Sequence, residues 1–319
     1  MPPISKRRCR SGCLARPSMW STVARCSGVR TGSTICRRIC RASSDPMPQG
    51  MMAGVETHWT EFGRGPRGAL LIHCSLAHGG SWAGVARRLS ERLAMRAFDL
   101  PGHGRSADWG GETELQGLSA EIAASLAAEM GGGAPVDVIG HSFGATVGLR
   151  LALERPELVR SLTLIEPVFF ALALADQPGL DTAFEGDTRA ITAGLASGDH
   201  AAAARAFTAL WGDGTEWDTI PEPQQRRLAD QMHLIAGSGP ALYEDAGGML
   251  RPGRIEAIAC PVLLMEGGAS PAIIPAILDG IAARLPQAER VVVEGAGHML
   301  PITHPEPVAE AIGALLSRS

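Results

Sequence analysis

Residues 138–148 read VIGHSFGATVG, which puts Ser142 between Gly140 and Gly144 directly after a run of apolar, mostly β-branched residues. A serine on a sharp strand-to-helix turn needs small residues two before and two after it, because the strained backbone brings those positions against the neighbouring strand and helix. Here VDVI precedes as a strand and ATVGLRLALE follows as a helix with small residues toward the sheet. That context separates an exposed nucleophile from a hydroxyl that merely occupies a tight turn. A neutral hydroxyl attacks poorly near neutral pH, so a histidine must take its proton and later return it to the leaving group. Nine histidines compete for that part. The implied chemistry is acyl transfer, in which preorganised N–H donors receive the negative charge that develops on the substrate oxygen.

The elements that would position such groups follow from the apolar pattern. Short apolar runs alternate with longer Ala- and Leu-rich stretches, the pattern of a mainly parallel sheet wrapped by helices. Strands are expected over residues 69–73, 95–100, 136–140, 161–166, 261–266 and 289–294, with an earlier pair inside VETHWTEFG. Helices are expected near 80–93, 113–130, 143–154, 272–285 and 305–317. Between Glu166 and Pro261 lie 94 residues of helix-forming composition, with Phe169, Phe170, Phe184, Phe207, Trp211, Trp217 and Tyr243 among them. A structureless loop of that length is implausible in a compact domain, so this stretch reads as a helical cap inserted into the sheet domain. GGGAP at 131–135 reads as a helix end and loop. The organisation expected is a basic arm over 1–50, a sheet domain over 51–166 and 259–319, and a cap over 167–258.

The arm differs from the rest. It holds ten of the 29 Lys and Arg, one acid (Asp45) and five of the seven cysteines, leaving 19 basic and 32 acidic residues and a charge of −13 for the remainder. An acidic body argues against nucleic acid as a partner. The arm is rich in Arg and Ser like a targeting segment but lacks an apolar stretch or helical stripe. Its cysteines (Cys9, Cys13, Cys26, Cys36, Cys40) include no Cys-x-x-Cys pair and have no paired histidine. An over-extended start or a functionless tail is the expected account, with targeting or a binding arm as alternatives. In the body only Cys74 and Cys260 remain, both beside apolar runs, which points to reduced thiols and a cytoplasmic location. The apolar run VFFALALA is too short to cross a bilayer, so no membrane partner is expected.

Four motifs in one order, LLIHCSLAHGGSW at 70–82, FDLPGHGRS at 98–106, GHSFG at 140–144 and GAGHMLPITHPE at 295–306, make the chain resemble the α/β-hydrolase family over essentially all of residues 55–318. The resemblance implies an eight-stranded, mainly parallel sheet with a helical cap after the sixth strand. It implies a base histidine after the last strand, for which His298 in its glycine loop is the candidate. His141 and His103 then pack or shape loops, His304 enters a helix, and His58, His200 and His233 carry no signal. One oxyanion donor is assigned to the backbone of Phe143. The other is expected from Ser75, with Leu76 in reserve, because Cys74 replaces the glycine that the family usually has there; His78 and GGSW are alternative pocket linings.

The family's usual acid follows the seventh strand, where this chain has Ala269 and Ser270. Glu166, closing the sixth strand as the acid of haloalkane dehalogenases does, is the favoured substitute. Glu266, at the end of the seventh strand, is second, and no acid at all is third. The expected catalytic set is therefore Ser142, His298 and Glu166.

A serine nucleophile speaks against haloalkane dehalogenation and epoxide opening, for which the family uses an Asp at the elbow. Without clustered Cys or His in the body, and with a Gly-x-Gly at 102–104 that opens no helix, neither a metal nor a nucleotide cofactor is implied. The reading is a cofactor-independent serine hydrolase of a small, largely apolar ester or related acyl compound, acting through an acyl-enzyme. The rivals are a C–C bond hydrolase of ring-cleavage products and a catalytically weak ligand-binding homologue. The sequence carries no sign of oligomeric state.

Overall fold

The computed structural model describes residues 48–319, so the arm expected over residues 1–50 lies, except for 48–50, outside the described residues. The strands are β1 (Gln49–Met52), β2 (Val55–Phe62), β3 (Arg67–Ile72), β4 (Leu93–Phe98), β5 (Val136–His141), β6 (Val159–Ile165), β7 (Val262–Gly267) and β8 (Glu289–Val293). Helices α1 (Ala83–Leu89), α2 (Leu115–Gly131) and α3 (Phe143–Glu154) connect the early strands. Helices α4 (Phe170–Asp176), α5 (Asp181–Ser197), α6 (His200–Trp211), α7 (Glu222–Asp230) and α8 (Met232–Tyr243) lie between β6 and β7. Helix α9 (Ile273–Arg284) follows β7, and α10 (Leu300–Thr303) and α11 (Pro305–Leu316) close the chain.

One eight-stranded sheet runs in the order β1-β2-β4-β3-β5-β6-β7-β8. Only the β1–β2 and β2–β4 pairs are antiparallel; β3 to β8 run parallel. The segment VETHWTEFG, expected to hold two strands, forms the single strand β2, and its hairpin partner β1 precedes it. The hairpin turns on Ala53 and Gly54, both at positive φ (47° and 81°). A two-residue hairpin loop needs that backbone to match the strand twist, and it is normally announced by Asn-Gly or Asp-Gly. Alanine in the first position hid it.

Alternate side chains of the parallel strands enter two cores. Ala69, Leu71, Ile139, Ile165, Leu263 and Met265 face α1 and α11. Leu70, Ile72, Val138, Leu162, Leu164 and Leu264 face α2, α3 and α9, and this second core continues into the inserted helices. Each fully buried leucine or isoleucine contributes about 1.5–3 kcal/mol of transfer free energy, which fixes the register because a one-residue slip would exchange the faces. Parallel strands share one carboxyl edge. The turns after β5 and β6 and the loop after β8 therefore emerge side by side, at the rim where ligands of open α/β sheets bind.

Candidate active site

Ser142 lies between the end of β5 and the start of α3 with φ 57° and ψ −120°, a conformation that costs a non-glycine residue about 1–3 kcal/mol. Its amide donates to the Ile165 carbonyl at 2.8 Å, which ties the turn to β6. A Cβ at Gly144 would come within 3.0 Å of the Ile72 and His73 carbonyl oxygens, and one at Gly140 within 3.0 Å of the Gly144 carbonyl. Both glycines are thus required by close backbone approach. Phe143 is the first residue of α3, so its N–H has no partner within the helix and remains available beside Ser142.

His298 and Glu166 converge on this serine. The His298 Nε2 lies 2.9 Å from the Ser142 Oγ, and its Nδ1 lies 2.9 Å from Glu166 Oε2. All three side chains are buried, Glu166 completely. Glu166 stands just past β6 at φ 52°, a second strained position at the rim. Its other oxygen, Oε1, accepts from the Gly267 amide at 2.6 Å and from the Ser270 hydroxyl at 2.8 Å. Ser270, one of the two residues at the family's usual acid position, is therefore a donor to the carboxylate that the β6 end supplies. Glu266 is turned elsewhere: its carboxylate pairs with Arg290 at 2.7 Å, and Arg290 also pairs with Asp279. Burial pushes the Glu266 carboxyl up, against the pull of Arg290.

Other histidines hold the loops. The His141 Nε2 lies 2.8 Å from the His298 carbonyl oxygen, so its ring N–H anchors the loop that carries His298. Burial, reinforced by the nearby His298, lowers His141 to about 3 and keeps it neutral. His73 accepts the Leu100 amide at Nε2 (3.0 Å), which leaves Nδ1 to donate to the Cys74 carbonyl at 2.7 Å. Burial, with His103 beside it, holds His73 well below the usual histidine range. His103 stacks edge-on against His73 at 5.2 Å and is lowered by burial to about 4. Asp99 receives the amides of Gly79 (2.6 Å) and Arg105 (2.9 Å), cross-tying the loops after β3 and β4. His73 and Asp99 escaped the sequence reading. Their signal was present in the polar residues that end the run LLIH and interrupt the run FDL.

A cavity of about 410 Å³ opens over Ser142 between the sheet rim and the inserted helices. Ser75 lines it with Ser142; Leu76, at φ 61°, does not. His78 and the GGSW segment do not line it either: the His78 ring accepts the Gly80 amide at 3.1 Å, and Trp82 is buried against the α1 face. The walls are mainly apolar and aromatic. Phe170 packs on Phe184 at 4.7 Å and on Tyr243 at 4.9 Å, and Trp211 meets the His298 imidazole edge-on at 4.7 Å. The charged residues on its lining, Asp181 and Glu185, are both acidic. Among the described residues no cluster of His, Cys, Asp and Glu has the arrangement of a metal site, and no helix is long and apolar enough to cross a membrane.

The geometry can be set beside known proteins. The profile of the Alpha/beta hydrolase family matches residues 69–311. A pimeloyl-[acyl-carrier protein] methyl ester esterase of Nitrosomonas europaea is 29% identical over 83% of this chain and 100% of its own length. The protein of the same name from Methylococcus capsulatus is 30% identical over 81% and 97%. A solved hydrolase from Pseudomonas aeruginosa superposes with a TM-score of 0.66 at 20% identity, over 86% of this chain and 99% of that one. A serine hydrolase involved in carbazole degradation gives 0.62 at 20% identity, over 86% and 99%. With the elbow, the sheet order and a family match over most of its length in agreement, the chain belongs to the alpha/beta hydrolase family.

Proposed function

We propose that this chain, an enzyme of the carboxylic ester hydrolase class, cleaves a small and largely apolar ester through a covalent acyl-enzyme on Ser142. The observation that carries the reading is the unbroken line of 2.9 Å contacts from Ser142 Oγ through the His298 ring to Glu166 Oε2. In the first half-reaction the Ser142 oxygen bonds to the ester carbonyl carbon while its proton passes to His298 Nε2. The carbonyl oxygen becomes an oxyanion, received by the amides of Phe143 and Ser75. Collapse of the tetrahedral intermediate breaks the bond to the alcohol oxygen, which takes the proton from Nε2. Water, giving a proton to the same nitrogen, then bonds to the acyl carbon; the acyl–Ser142 bond breaks, Nε2 returns the proton to the Ser142 oxygen, and the acid departs. Glu166 accepts a hydrogen bond from Nδ1–H and holds the ring in the productive tautomer. Ser270 and Gly267 fix that carboxylate from its far side.

The esterase names of the relatives support an oxygen ester as substrate. A ring-cleavage product would bring a carboxylate toward a lining whose charged members, Asp181 and Glu185, are both acidic, which disfavours C–C hydrolysis. A carboxylate within hydrogen-bonding distance of the imidazole removes the motive for a weak ligand-binding homologue. In this reading residues 167–258 act as a cap over Ser142, between the two parts of the hydrolase domain at 51–166 and 259–319, and the acyl part of the substrate lies under the cap. Cys74 and Cys260 are free thiols, which suits a reducing compartment, the cytoplasm, as the place of action. The test is labelling with an aryl phosphonate followed by peptide mapping, paired with turnover of a short aryl ester. Modification at Ser142, an initial burst of phenol, and loss of about 10⁶ in turnover for Ser142→Ala are expected. Turnover that survives Ser142→Ala would overturn the mechanism.

A further inference from the structure

His73 is buried at the junction between β3 and the loop that carries Ser75. Its two ring nitrogens hold different groups. Nε2 accepts the Leu100 amide at 3.0 Å from the loop after β4, so the ring proton sits on Nδ1 and is donated to the Cys74 carbonyl at 2.7 Å. The same carbonyl accepts the Ala77 amide at 3.3 Å, which closes a turn over residues 74–77. Leu76 takes the third position of that turn at φ 61°, and a residue with a side chain persists there only where its surroundings over-determine the backbone. The His73 ring supplies such a hold from outside the turn.

A peptide plane links this hold to the reacting oxygen. The Cys74 carbonyl and the Ser75 N–H belong to one planar unit, and no described peptide bond is cis, so the two groups point in opposite directions. With its carbonyl drawn to the imidazole, the unit aims the Ser75 amide away from it. Among the described residues no hydrogen-bond acceptor takes that amide, and Ser75 lines the cavity together with Ser142. The backbone of residue 73 also meets the elbow: a Cβ at Gly144 would fall 2.5 Å from the His73 carbonyl oxygen. Residue 73 therefore spaces the β3 loop, with Ser75, from the elbow, with Phe143.

Resting on the serine esterase reading, we propose that His73 is a positioning residue of the oxyanion hole, fixing the Cys74–Ser75 peptide plane so that the Ser75 N–H meets the charge developing on the substrate oxygen. Nδ1 carries this role, and Nε2 anchors the ring. A hydrogen bond to the carbonyl also polarises the peptide unit and strengthens its N–H as a donor. The gain falls in the transition state, where the oxygen bears charge, and not in substrate binding.

Two substitutions in the full chain separate the ring nitrogens. In His73→Asn the side-chain amide nitrogen lies where Nδ1 does and keeps the bond to the Cys74 carbonyl. In His73→Gln the amide reaches the place of Nε2, keeping the Leu100 partner and releasing that carbonyl. His73→Gln is expected to lower kcat on a short aryl ester by about 10² with KM within about twofold, the scale set by loss of one oxyanion donor. An aryl trifluoromethyl ketone, which places an oxyanion in the hole when Ser142 adds to it, should bind this variant about 10²-fold more weakly, while the matching alcohol binds as it does to wild type. His73→Asn should recover most of both losses. Equal losses in the two variants, or a loss confined to KM, would mark His73 as a loop brace and overturn the proposal. Nitrogen-15 spectra of the wild-type chain test it without any variant, should neither fold. An Nδ1–H tautomer of His73 and a downfield shift of the Ser75 amide proton on binding the ketone are expected; the opposite tautomer, or a stationary Ser75 amide, would overturn it. Failure of the esterase reading looks different: no ester is turned over, and Ser142 adds to neither the ketone nor the phosphonate.

Discussion

The ends of β6 and β7 lie side by side at the sheet rim and do opposite things. The β6 end projects a carboxylate, Glu166, from a backbone at φ 52°, onto the imidazole of His298. The β7 end, after which the family usually keeps that carboxylate, offers the site two donors: the Gly267 amide and the Ser270 hydroxyl, both on Glu166 Oε1. The carboxylate nearest the old position, Glu266, is committed to Arg290. The comparison teaches that a carboxylate can reach the imidazole from the end of one strand while the loop after the neighbouring strand carries none to it. It also shows what that loop supplies instead. A fully buried carboxylate with only one partner would carry a large desolvation penalty, and charge-assisted hydrogen bonds to its second oxygen offset it.

The two strand ends can be set against each other by substitution. Glu166→Gln is expected to lower kcat by about 10⁴, as loss of a tautomer-fixing carboxylate does elsewhere, while Glu266→Gln changes kcat by less than about threefold. Equal losses in the two variants, read by steady-state kinetics on one ester, would end the assignment of the acid to β6. Ser270→Ala removes one charge-assisted donor, a term of about 1.5–3 kcal/mol, and should reduce kcat at least about tenfold with KM nearly unchanged. Ser270→Thr, which keeps the hydroxyl, should recover most of it; an unaffected Ser270→Ala enzyme would mean that the β7 loop is a bystander.

The smallest effect concerns the frame beneath both ends. His73, His103 and His141 are buried and held neutral in the folded chain, at well below the usual value, about 4 and about 3 respectively. In the unfolded chain each takes up a proton near pH 6.5. Their folded values are depressed, so the stability they confer is complete above about pH 6.5 and is lost as pH falls toward the folded values. Urea unfolding of the wild-type chain between pH 6.5 and 4.5 should show each contributing a slope of about 1.4 kcal/mol per pH unit, and His141→Asn should have a shallower slope. A slope indifferent to His141→Asn would show that His141 is not held neutral in the folded chain.

Much of this was legible in the chain. The alternation of short apolar runs and helical stretches located six parallel strands and the helices around them, because burial on both faces of a sheet demands such runs. The helix after Ser142 was expected over 143–154 and spans Phe143–Glu154. The first hairpin was missed because positive φ at Ala53 has no residue signature. What lies beyond local pattern is coordination among loops far apart in sequence. Nothing in the residues alone says that Ser270 reaches a glutamate 104 positions earlier, or that His141 holds a carbonyl 157 positions later.

The sequence by itself determined the strand-turn-helix at Ser142, since two glycines and an apolar run encode that geometry locally, and it narrowed the partner carboxylate to Glu166, Glu266 or none. Only the tertiary structure decided which carboxylate faces the imidazole, which loop steadies it, and which side chains wall the cavity over the serine. The physical reason is range: dihedral preference and hydrophobic period act over a few residues, whereas hydrogen-bond partners and cavity walls are set by which strand ends the sheet order makes neighbours.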